Sequence, residues 1–204
     1  MTDMLTVEAA RTAVLERIHA LGDEQVPLAD ALDRHLANDV AAIADNPPHD
    51  NSAMDGYAVR FADTATASGS TPIRLQVIED IPAGTVPQRK VSTGQASRIM
   101  TGAPVPEGAD TVIRVEDTRS EDDWVEILEP EDGVGENIRG QGDDMKSGEV
   151  LLRAGDLVGP GEIGVLATAQ HANLTVTRRP TIAILSSGDE LVEVGEPLGP
   201  GQII

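Results

Sequence analysis

The feature that most limits how this chain can fold is its central region, residues 47–145, in which apolar runs are short. Gly, Pro, Thr and Val dominate the region, and turn formers separate its candidate strands at 73–78, 111–115 and 124–128. Short apolar runs divided by turn residues are typical of β structure rather than of helices. We therefore predict a small, irregular all-β domain in the middle of the chain.

Helical periodicity precedes this region. Thr6 can cap a first helix whose apolar residues recur at helical spacing as far as Leu21, and Gly22 is a plausible stop. A second helix is predicted from about residue 28 to residue 37, and its apolar face consists of Leu28, Ala31, Leu32 and Leu36. The chain thus begins with two predicted helices before the β-rich region.

Mixed structure follows the β-rich region. We predict a short hairpin over 148–158, a helix over 160–169 that opens with Pro160, and a strand over 173–177. Residues 181–185 form a continuous aliphatic run of the kind that is buried in parallel sheets. This run leads into the loop Ser186-Ser-Gly-Asp-Glu-Leu, and α/β sheets bind ligands at the carboxyl ends of their strands.

The charge balance argues against a nucleic-acid partner. The chain carries 35 acidic and 15 basic residues, a net charge of −20, and Lys90 and Lys146 are its only lysines. Nucleic-acid binding depends on Lys and Arg that neutralise phosphates. Abundant acid, scarce lysine and few aromatics predict a halophilic host with high internal salt, where the Debye length falls to roughly 3 Å at 1 M. The charge is then an adaptation and not a binding face.

The remaining composition favours a cytoplasmic protein. Cysteine is absent, which excludes disulfides and thiolate metal sites but does not fix the compartment. No apolar run approaches the roughly 20 residues that a membrane-spanning helix needs, and the N-terminus lacks the pattern of a signal peptide. We therefore expect no membrane association.

Residues 47–60 concentrate chemically useful groups in one polar loop. Two prolines and several turn formers precede Tyr57, Val59 and Phe61, which alternate with other residues as in a strand. The loop would deliver the carboxylates of Asp50 and Asp55 to the mouth of a sheet. An ordinary β-turn that enters a strand explains the same local pattern. Residues 140–147 approach a phosphate-binding P-loop but lack its second glycine and carry two aspartates, so we reject that motif.

Four separated stretches, taken together, resemble one family. They are Asn51-Ser-Ala-Met-Asp-Gly-Tyr-Ala, the run 98–113 containing Met-Thr-Gly-Ala-Pro-Val-Pro, Gly135-Glu-Asn-Ile-Arg-Gly-Gln-Gly-Asp-Asp, and Arg179-Pro-Thr-Ile-Ala-Ile-Leu-Ser-Ser-Gly-Asp-Glu-Leu. Their order and spacing are similar to those of the molybdopterin molybdenumtransferases, the MoeA type that also occurs as the E-type domain of gephyrin. The four stretches together extend over almost the whole chain.

The resemblance implies an α+β, multi-domain architecture. Residues 1–46 and 146–178 would form a discontinuous, helix-containing domain I, and residues 47–145 would form an inserted, irregular β-rich domain II. Residues 179–204 would be the truncated start of a three-layer α/β domain III that binds molybdopterin. The chain stops nineteen residues after Leu185, so we expect only the first strand and loop of that domain.

The resemblance also implies an activity in molybdenum cofactor biosynthesis. Family members act on adenylated molybdopterin, insert molybdate into its dithiolene and release AMP, with a divalent cation such as Mg²⁺ required. They are homodimers whose pocket lies between the α/β domain of one subunit and the β-rich domain of the other. A molybdopterin adenylyltransferase-type protein is a possible partner.

Residue by residue, the resemblance implies four catalytic positions: Asp55, Thr101, Asp144 and Glu190. Glu190 and Asp55 are the expected metal ligands, because Mg²⁺ binds through one or two carboxylates and retains several waters. The expected cofactor-binding residues are Arg139, Arg98, Ser187, Gly188 and Asp189, of which the two arginines would orient an anionic group. Arginine suits this role because it binds oxyanions bidentately.

Several departures and rival interpretations remain open at this point. Ser187 stands where the family has threonine, and Gly140 and Gln141 stand where basic residues are common, which weakens the local positive field. One rival is a non-catalytic module of the same family that serves as a dimerising or scaffold fragment. The other is a β domain that binds polyanions or sugars and is unrelated to pterins.

Overall fold

The computed structural model describes residues 4–19 and 21–204 and shows a mixed α/β fold with a curled β-sheet. Residues 1–3 and 20, which belong to the first predicted segment, lie outside the described residues. The helices are α1 (Val7–Leu15), α2 (Phe61–Thr64) and α3 (Pro160–Thr168), with short 3-10 turns at Leu28–Asp30 and Val115–Asp117. The strands are β1 (Asp23–Pro27), β2 (Val40–Ala41), β3 (Asn51–Ser52), β4 (Gly56–Val59), β5 (Ile73–Ile81), β6 (Gln95–Ile99), β7 (Thr111–Arg114), β8 (Thr118–Glu121), β9 (Trp124–Ile127), β10 (Ile138–Arg139), β11 (Val150–Leu152) and β12 (Asn173–Thr177).

The largest sheet has six strands in the order β7-β4-β6-β5-β9-β8. Its neighbours are antiparallel except for the β5–β6 pair, which is parallel. Three of its strands match the predictions made from the apolar runs at 73–78, 111–115 and 124–128. The sheet forms the greater part of the β-rich region.

Both faces of the six-stranded sheet are covered. Successive side chains of a strand point to opposite faces, and the two core clusters divide accordingly. One cluster contains Tyr57, Val59 and Ile113, whereas the other contains Ala58 and Val112. All four residues of β4 are buried for this reason. The loop that precedes β4 is therefore attached to a strand that is packed on both faces.

A second core, outside this sheet, joins chain segments from the two sides of the β-rich region. β1 pairs with β12, and β11 pairs with β2, so segments far apart in sequence form two short antiparallel ladders. Helix α3 packs Leu166 against the same core. The buried members of this core are Val26, Ala31, Leu36, Val40, Val158, Leu166, Leu174 and Val176.

Two chain segments, 45–50 and 140–147, connect the second core with the six-stranded sheet. We call this pair of segments the crossover. Asn46 and Met145 form an antiparallel bridge within it, and the Asn46–Pro47 peptide bond is cis. The carbonyl oxygen of Pro47 accepts a hydrogen bond from the Gly142 N–H at 2.9 Å. The chain therefore enters and leaves the β-rich region at adjacent positions. The domain boundaries at 46/47, 145/146 and 178/179 stay a prediction.

The first helix begins as predicted but ends early. The Thr6 hydroxyl accepts a hydrogen bond from the Ala9 N–H at 3.2 Å, and the helix ends at Leu15 instead of continuing to Leu21. None of its residues is buried, and Ile18 and Leu21 beyond it are 62% and 52% exposed. The apolar spacing thus correctly predicts a helix, but no described part of the chain covers its apolar face.

The second predicted helix, 28–37, is wrong. Only the 3-10 turn Leu28–Asp30 forms, and Asp33 then adopts a φ of 58°, which interrupts helical geometry. Beyond it the backbone pairs with distant segments: the Leu36 N–H donates to Asp156 and the Ala37 N–H donates to Thr175. Tertiary hydrogen bonds therefore override the local helical spacing.

Three predictions of β structure also need correction. The strand expected through Phe61 ends at Val59, because the Phe61 N–H donates to Asp110 Oδ1 at 2.6 Å as α2 begins. The expected hairpin over 148–158 does not form, since β11 pairs with β2 instead. Residues 181–185 form no strand, and Leu185 is 93% exposed. A buried strand needs neighbours, and no strand of residues 4–19 and 21–204 pairs with this run.

The helix over 160–169 and the strand over 173–177 are confirmed as α3 and β12. Leu166 of α3 points inward as predicted, whereas Ala167 is exposed. In the part of the chain that the structure describes, no helix is sufficiently long and apolar to cross a membrane.

Candidate active site

Asp55 and Thr101 form the centre of the candidate site. Asp55 is exposed in the turn between β3 and β4, and Thr101 lies in the turn after β6. The Asp55 Oδ1 atom accepts two hydrogen bonds from Thr101, one from the backbone N–H at 2.7 Å and one from Oγ1 at 2.8 Å. The structure therefore joins two of the residues that the sequence predicts as catalytic.

These contacts lower the pKa of the Asp55 carboxyl. The largest cause is the backbone N–H of Thr101, followed by the Thr101 hydroxyl, and the nearby positive charge of Arg98 adds to them. Partial desolvation opposes the shift without reversing it. Hydrogen bonds to a carboxylate favour its ionised form. Asp55 is consequently an anion at neutral pH whose Oδ2 accepts no hydrogen bond from the described residues.

Strand pairing explains why Asp55 and Thr101 meet. Gly56 pairs with Ile99 in the β4–β6 ladder, so the residues just beyond these two strand ends lie side by side. The Val115 N–H donates to the Asp55 carbonyl oxygen at 3.0 Å and holds the turn from the other side. At Gly56, a Cβ atom would overlap the carbonyl oxygen of Ile113, so a glycine is required there. The turn is therefore fixed by both strands that neighbour β4.

A second group of polar side chains lies at the crossover. Asp144 Oδ2 accepts a hydrogen bond from Arg139 Nη2 at 2.6 Å and another from Asn46 Nδ2 at 3.0 Å. The Arg139 and Asp144 side chains are both roughly half exposed. The ion pair brings together one predicted cofactor-binding residue and one predicted catalytic residue.

Strand β3 connects the two groups. On one side it pairs with β10, where Asn51 lies opposite Arg139. On the other side, the Gly102 N–H donates to the Ser52 carbonyl oxygen at 2.8 Å, directly after Thr101. The Thr101 turn and Arg139 are thus held on opposite edges of one short strand. Among the described residues, no side-chain hydrogen bond joins the Asp55 group to the Asp144 group directly.

The remaining predicted residues make no side-chain hydrogen bond to Asp55, Thr101, Asp144 or Arg139 in the described chain. Arg98 makes a long ion pair of 3.5 Å with Asp80. Ser187 and Gly188 line an open cleft of about 630 Å³ that is formed by residues 184–204. The Ile203 N–H donates a hydrogen bond to the Glu190 carbonyl oxygen at 2.7 Å. The neighbouring Asp189 is exposed. Within the described chain, the hydrogen bonds of residues 180–204 stay inside that segment, so Glu190 is not linked to Asp55 by them.

The carboxylates do not form a closed metal cage. In the described ranges, no group of three or more His, Cys, Asp or Glu side chains could hold a metal ion. The assignment of Glu190 and Asp55 as metal ligands therefore stays a prediction. A cation held by one or two carboxylates, with substrate phosphates and water completing its shell, remains compatible with the free oxygen of Asp55.

Comparison with known proteins identifies the family. The family model described as "MoeA N-terminal region (domain I and II)" matches residues 5–169. The chain belongs to the MoeA N-terminal family. The resemblance to this family that the four stretches carry is thus confirmed.

The MoeA relatives carry consistent names. A molybdopterin molybdenumtransferase of Bacillus subtilis is 43% identical over 183 residues, which cover 88% of this chain and 43% of the relative. Molybdopterin molybdenumtransferase 2 of Mycobacterium tuberculosis is 41% identical over 200 residues, 98% of this chain and 49% of the relative. The chain spans less than half the length of these MoeA relatives.

Solved MoeA structures share the fold. A crystal structure of the molybdopterin biosynthesis MoeA protein from Pyrococcus horikoshii OT3 aligns with a TM-score of 0.87 at 38% identity. The alignment covers 98% of this chain and 52% of the archaeal chain. The mixed α/β fold and its curled sheet are therefore those of MoeA proteins.

Two residues of the MoeA site region escape prediction from the sequence. Asn51 is 8% exposed between the Thr101 turn and Arg139, and its buried Oδ1 has no hydrogen-bond partner in the described chain. Its position at the start of the Asn-Ser-Ala-Met-Asp-Gly-Tyr stretch is a usable signal. Asn46 contacts Asp144 from 98 residues away in sequence, and no local pattern indicates that contact.

Proposed function

We propose that this chain supplies the β-rich wall of a molybdopterin molybdenumtransferase site. The MoeA relatives are named molybdopterin molybdenumtransferases. The reaction that we propose is the insertion of molybdate into adenylated molybdopterin with release of AMP. The observation that carries the proposal is the ionised, exposed Asp55 carboxylate that Thr101 orients through two hydrogen bonds. The alternative is a non-catalytic scaffold fragment of the same family.

The proposed roles follow from the chemistry of the side chains. Asp55 and Asp144 supply carboxylate oxygens. These oxygens bind a cation, or they accept and release protons as molybdate oxo groups leave as water. Arg139 and Arg98 orient the phosphate or molybdate anion. Thr101 holds Asp55 in one orientation, which lowers the cost of ordering it when substrate binds.

A divalent cation, Mg²⁺ in our proposal, fits the residues present. Mg²⁺ prefers oxygen ligands, retains water and is commonly bound by one or two carboxylates together with substrate phosphates. Asp55 has an anionic carboxylate with one oxygen outside its contacts to Thr101, and Glu190 is the second ligand that we propose. When bound, the cation would reduce the repulsion between molybdate and the phosphate groups.

The proposal extends to the context in which the site operates. We propose a homodimer in which the Glu190 region of one subunit completes the Asp55 site of the other, in a cytoplasm with high internal salt. Residues 1–46 with 146–178 would be domain I, residues 47–145 domain II, and residues 179–204 the beginning of domain III. A molybdopterin adenylyltransferase-type protein would deliver the substrate.

The direct test measures AMP release from adenylated molybdopterin with molybdate and Mg²⁺ in the full natural chain that contains these residues. Asp55→Asn is expected to lower kcat at least about 100-fold, and Thr101→Ala is expected to lower it less, because its backbone N–H remains. Asp123→Asn, whose side chain makes no hydrogen bond in the described chain, is the matched control.

A mixing experiment separates the enzyme from the scaffold. If the pocket is shared between subunits, adding this 204-residue chain to the inactive full-length Asp55→Asn protein restores AMP release, because the added chain supplies an intact Asp55. If Asp55→Asn and Thr101→Ala both retain full activity, the site assignment fails and the scaffold interpretation is favoured.

A further inference from the structure

Asp144 is held through only one of its two carboxylate oxygens. Both of its side-chain donors, Arg139 Nη2 and Asn46 Nδ2, contact Oδ2, at 2.6 and 3.0 Å. Oδ1 makes no hydrogen bond to any described residue, and the side chain is 46% exposed. The carboxylate is thus fixed at one oxygen while the other remains open to a ligand.

Asn46 contacts the Asp144 segment through its backbone as well as its side chain. The Asn46 carbonyl oxygen accepts hydrogen bonds from the Asp144 N–H at 2.9 Å and from the Met145 N–H at 3.2 Å. The Asn46 N–H donates to the Met145 carbonyl oxygen at 2.9 Å. Because both backbones are paired, the distance from the Asn46 amide to the Asp144 carboxylate is set by the crossover itself.

The neighbours of Asn46 stiffen the same loop. Asp45 Oδ1 accepts from the Ser147 N–H at 2.8 Å, and Asp45 Oδ2 accepts from Gln141 Nε2 at 2.6 Å. The Gln141 N–H in turn donates to Asp50 Oδ1 at 2.8 Å. The loop that carries Asp144 is therefore anchored by side chains of the opposing segment on both sides of Asp144.

We propose that Asn46 is a positioning residue of the site, which holds Asp144 Oδ2 so that Oδ1 is presented to the substrate complex. The inference rests on the proposed catalytic role of Asp144. Arg139 alone would hold the carboxylate from one direction, with a side chain that has several rotatable bonds. The Asn46 amide adds a second, neutral donor from a short side chain on a paired backbone, which restrains Oδ2 without adding charge.

The substitutions that test this role separate the loss of the hydrogen-bond donor from a change in the shape of the side chain. Asn46→Asp keeps the shape of the side chain but cannot donate at neutral pH, and Asn46→Leu removes the donor without adding charge. Asn46→Gln retains an amide donor on a longer side chain. Ser147→Ala is the matched control, because the Ser147 hydroxyl lies in the same crossover but donates to the Ile43 carbonyl oxygen.

In AMP-release kinetics of the full natural chain, Asn46→Asp and Asn46→Leu are each expected to lower kcat on the order of 10–100-fold, with KM for molybdate changed much less. Asn46→Gln is expected to recover a large part of the loss, and Ser147→Ala to remain within about twofold of the parent protein. A purely structural role for Asn46 would instead appear as parallel losses of stability in urea unfolding, without a split between kcat and KM.

A double-mutant cycle decides whether Asn46 acts through Asp144. In an Asp144→Ala background, Asn46→Leu is expected to cause no further loss of kcat, because the carboxylate that it positions is absent. Equal losses in both backgrounds, or full activity of Asn46→Leu, would overturn the inference and leave the role of Asp144 intact. Full activity of Asp144→Ala itself would refute the role of Asp144, and the positioning role would fail with it.

Discussion

A single glycine controls the approach of the Asp55 turn to its neighbouring strand. At Gly56 the backbones of β4 and β7 are so close that any Cβ would overlap the Ile113 carbonyl oxygen. Gly56→Ala is expected to lower the free energy of unfolding by about 1–3 kcal/mol, since the strands must separate to admit the methyl group. Urea denaturation monitored by circular dichroism measures this change.

The control for this substitution is another glycine of the β-rich region. A Cβ at Gly69 has no atom within 4 Å, and its φ is not positive, so Gly69→Ala is expected to leave the stability unchanged or to raise it by up to about 1 kcal/mol. Equal effects of the two substitutions would contradict the close contact at Gly56.

Asp55 also contributes a pH dependence of stability. Its folded-state pKa lies below the ordinary value of about 3.9, so its contribution is present above that pH and is lost as the pH falls through the folded pKa. Asp55→Asn is therefore expected to lose less stability than the parent protein between pH 5 and pH 2. Thr101→Val, which removes the hydroxyl donor but retains the N–H, is expected to lie between them. Identical pH profiles of urea midpoints for all three proteins would refute the hydrogen-bonded arrangement.

At the scale of the secondary-structure elements, residues 28–37 allow the predicted helix to be tested against the observed backbone, which pairs with distant segments. Leu32 and Leu36 share one face in the predicted helix, but in the structure Leu36 is 1% exposed and Leu32 is 45% exposed. Leu36→Ala is expected to cost about 2–5 kcal/mol, and Leu32→Ala well under 1 kcal/mol. Thermal or urea unfolding of the two variants checks this, and similar losses at both positions would favour the helix.

The same segment shows what the sequence can predict about the fold and what it cannot. Patterns that depend on near neighbours are confirmed: the Thr6 cap, helix α3 after Pro160, and the strands at 73, 111 and 124. Pairings that depend on distant segments are missed. Leu36 hydrogen-bonds with Asp156, and β11 pairs with β2, and neither contact leaves a local signature.

The candidate site follows the same division. Asp55 and Thr101 were identified by resemblance, and their mutual contact arises from β4–β6 pairing that no local pattern specifies. The Asn46 contact with Asp144 spans 98 residues and lies outside any motif. The sequence predicts that Asp55 and Thr101 belong to the site. It does not predict the contacts of Asp55 with Thr101 and of Asn46 with Asp144, because these contacts depend on the folded sheet and the crossover.

At the scale of the whole molecule, the net charge of −20 makes stability dependent on salt. Like charges repel in the folded state, and the screening length falls from about 30 Å at 0.01 M salt to about 3 Å at 1 M. The thermal midpoint is expected to rise between 0.05 and 1 M KCl, by roughly 2–4 °C for each kcal/mol recovered. Calorimetry checks this.

A second salt, sodium sulfate, separates the screening of charges from the other effects of salt on stability. Sodium sulfate also stabilises proteins by exclusion from their surface, whereas KCl at these concentrations acts mainly by screening. A midpoint that is insensitive to KCl and rises only with sulfate would contradict both the repulsion and the proposed adaptation to a salty cytoplasm.

The crossover has a consequence for how such a protein can be altered by evolution or by design. Asn46 and Met145 are hydrogen-bonded neighbours, so everything between them begins and ends at one point of the surrounding structure. Replacing residues 47–144 by a two- or three-residue turn would leave the remaining backbone almost undisturbed, since the gap to be closed is already short. We therefore expect that residues 47–144 can be lengthened, shortened or exchanged while the remaining chain keeps its fold.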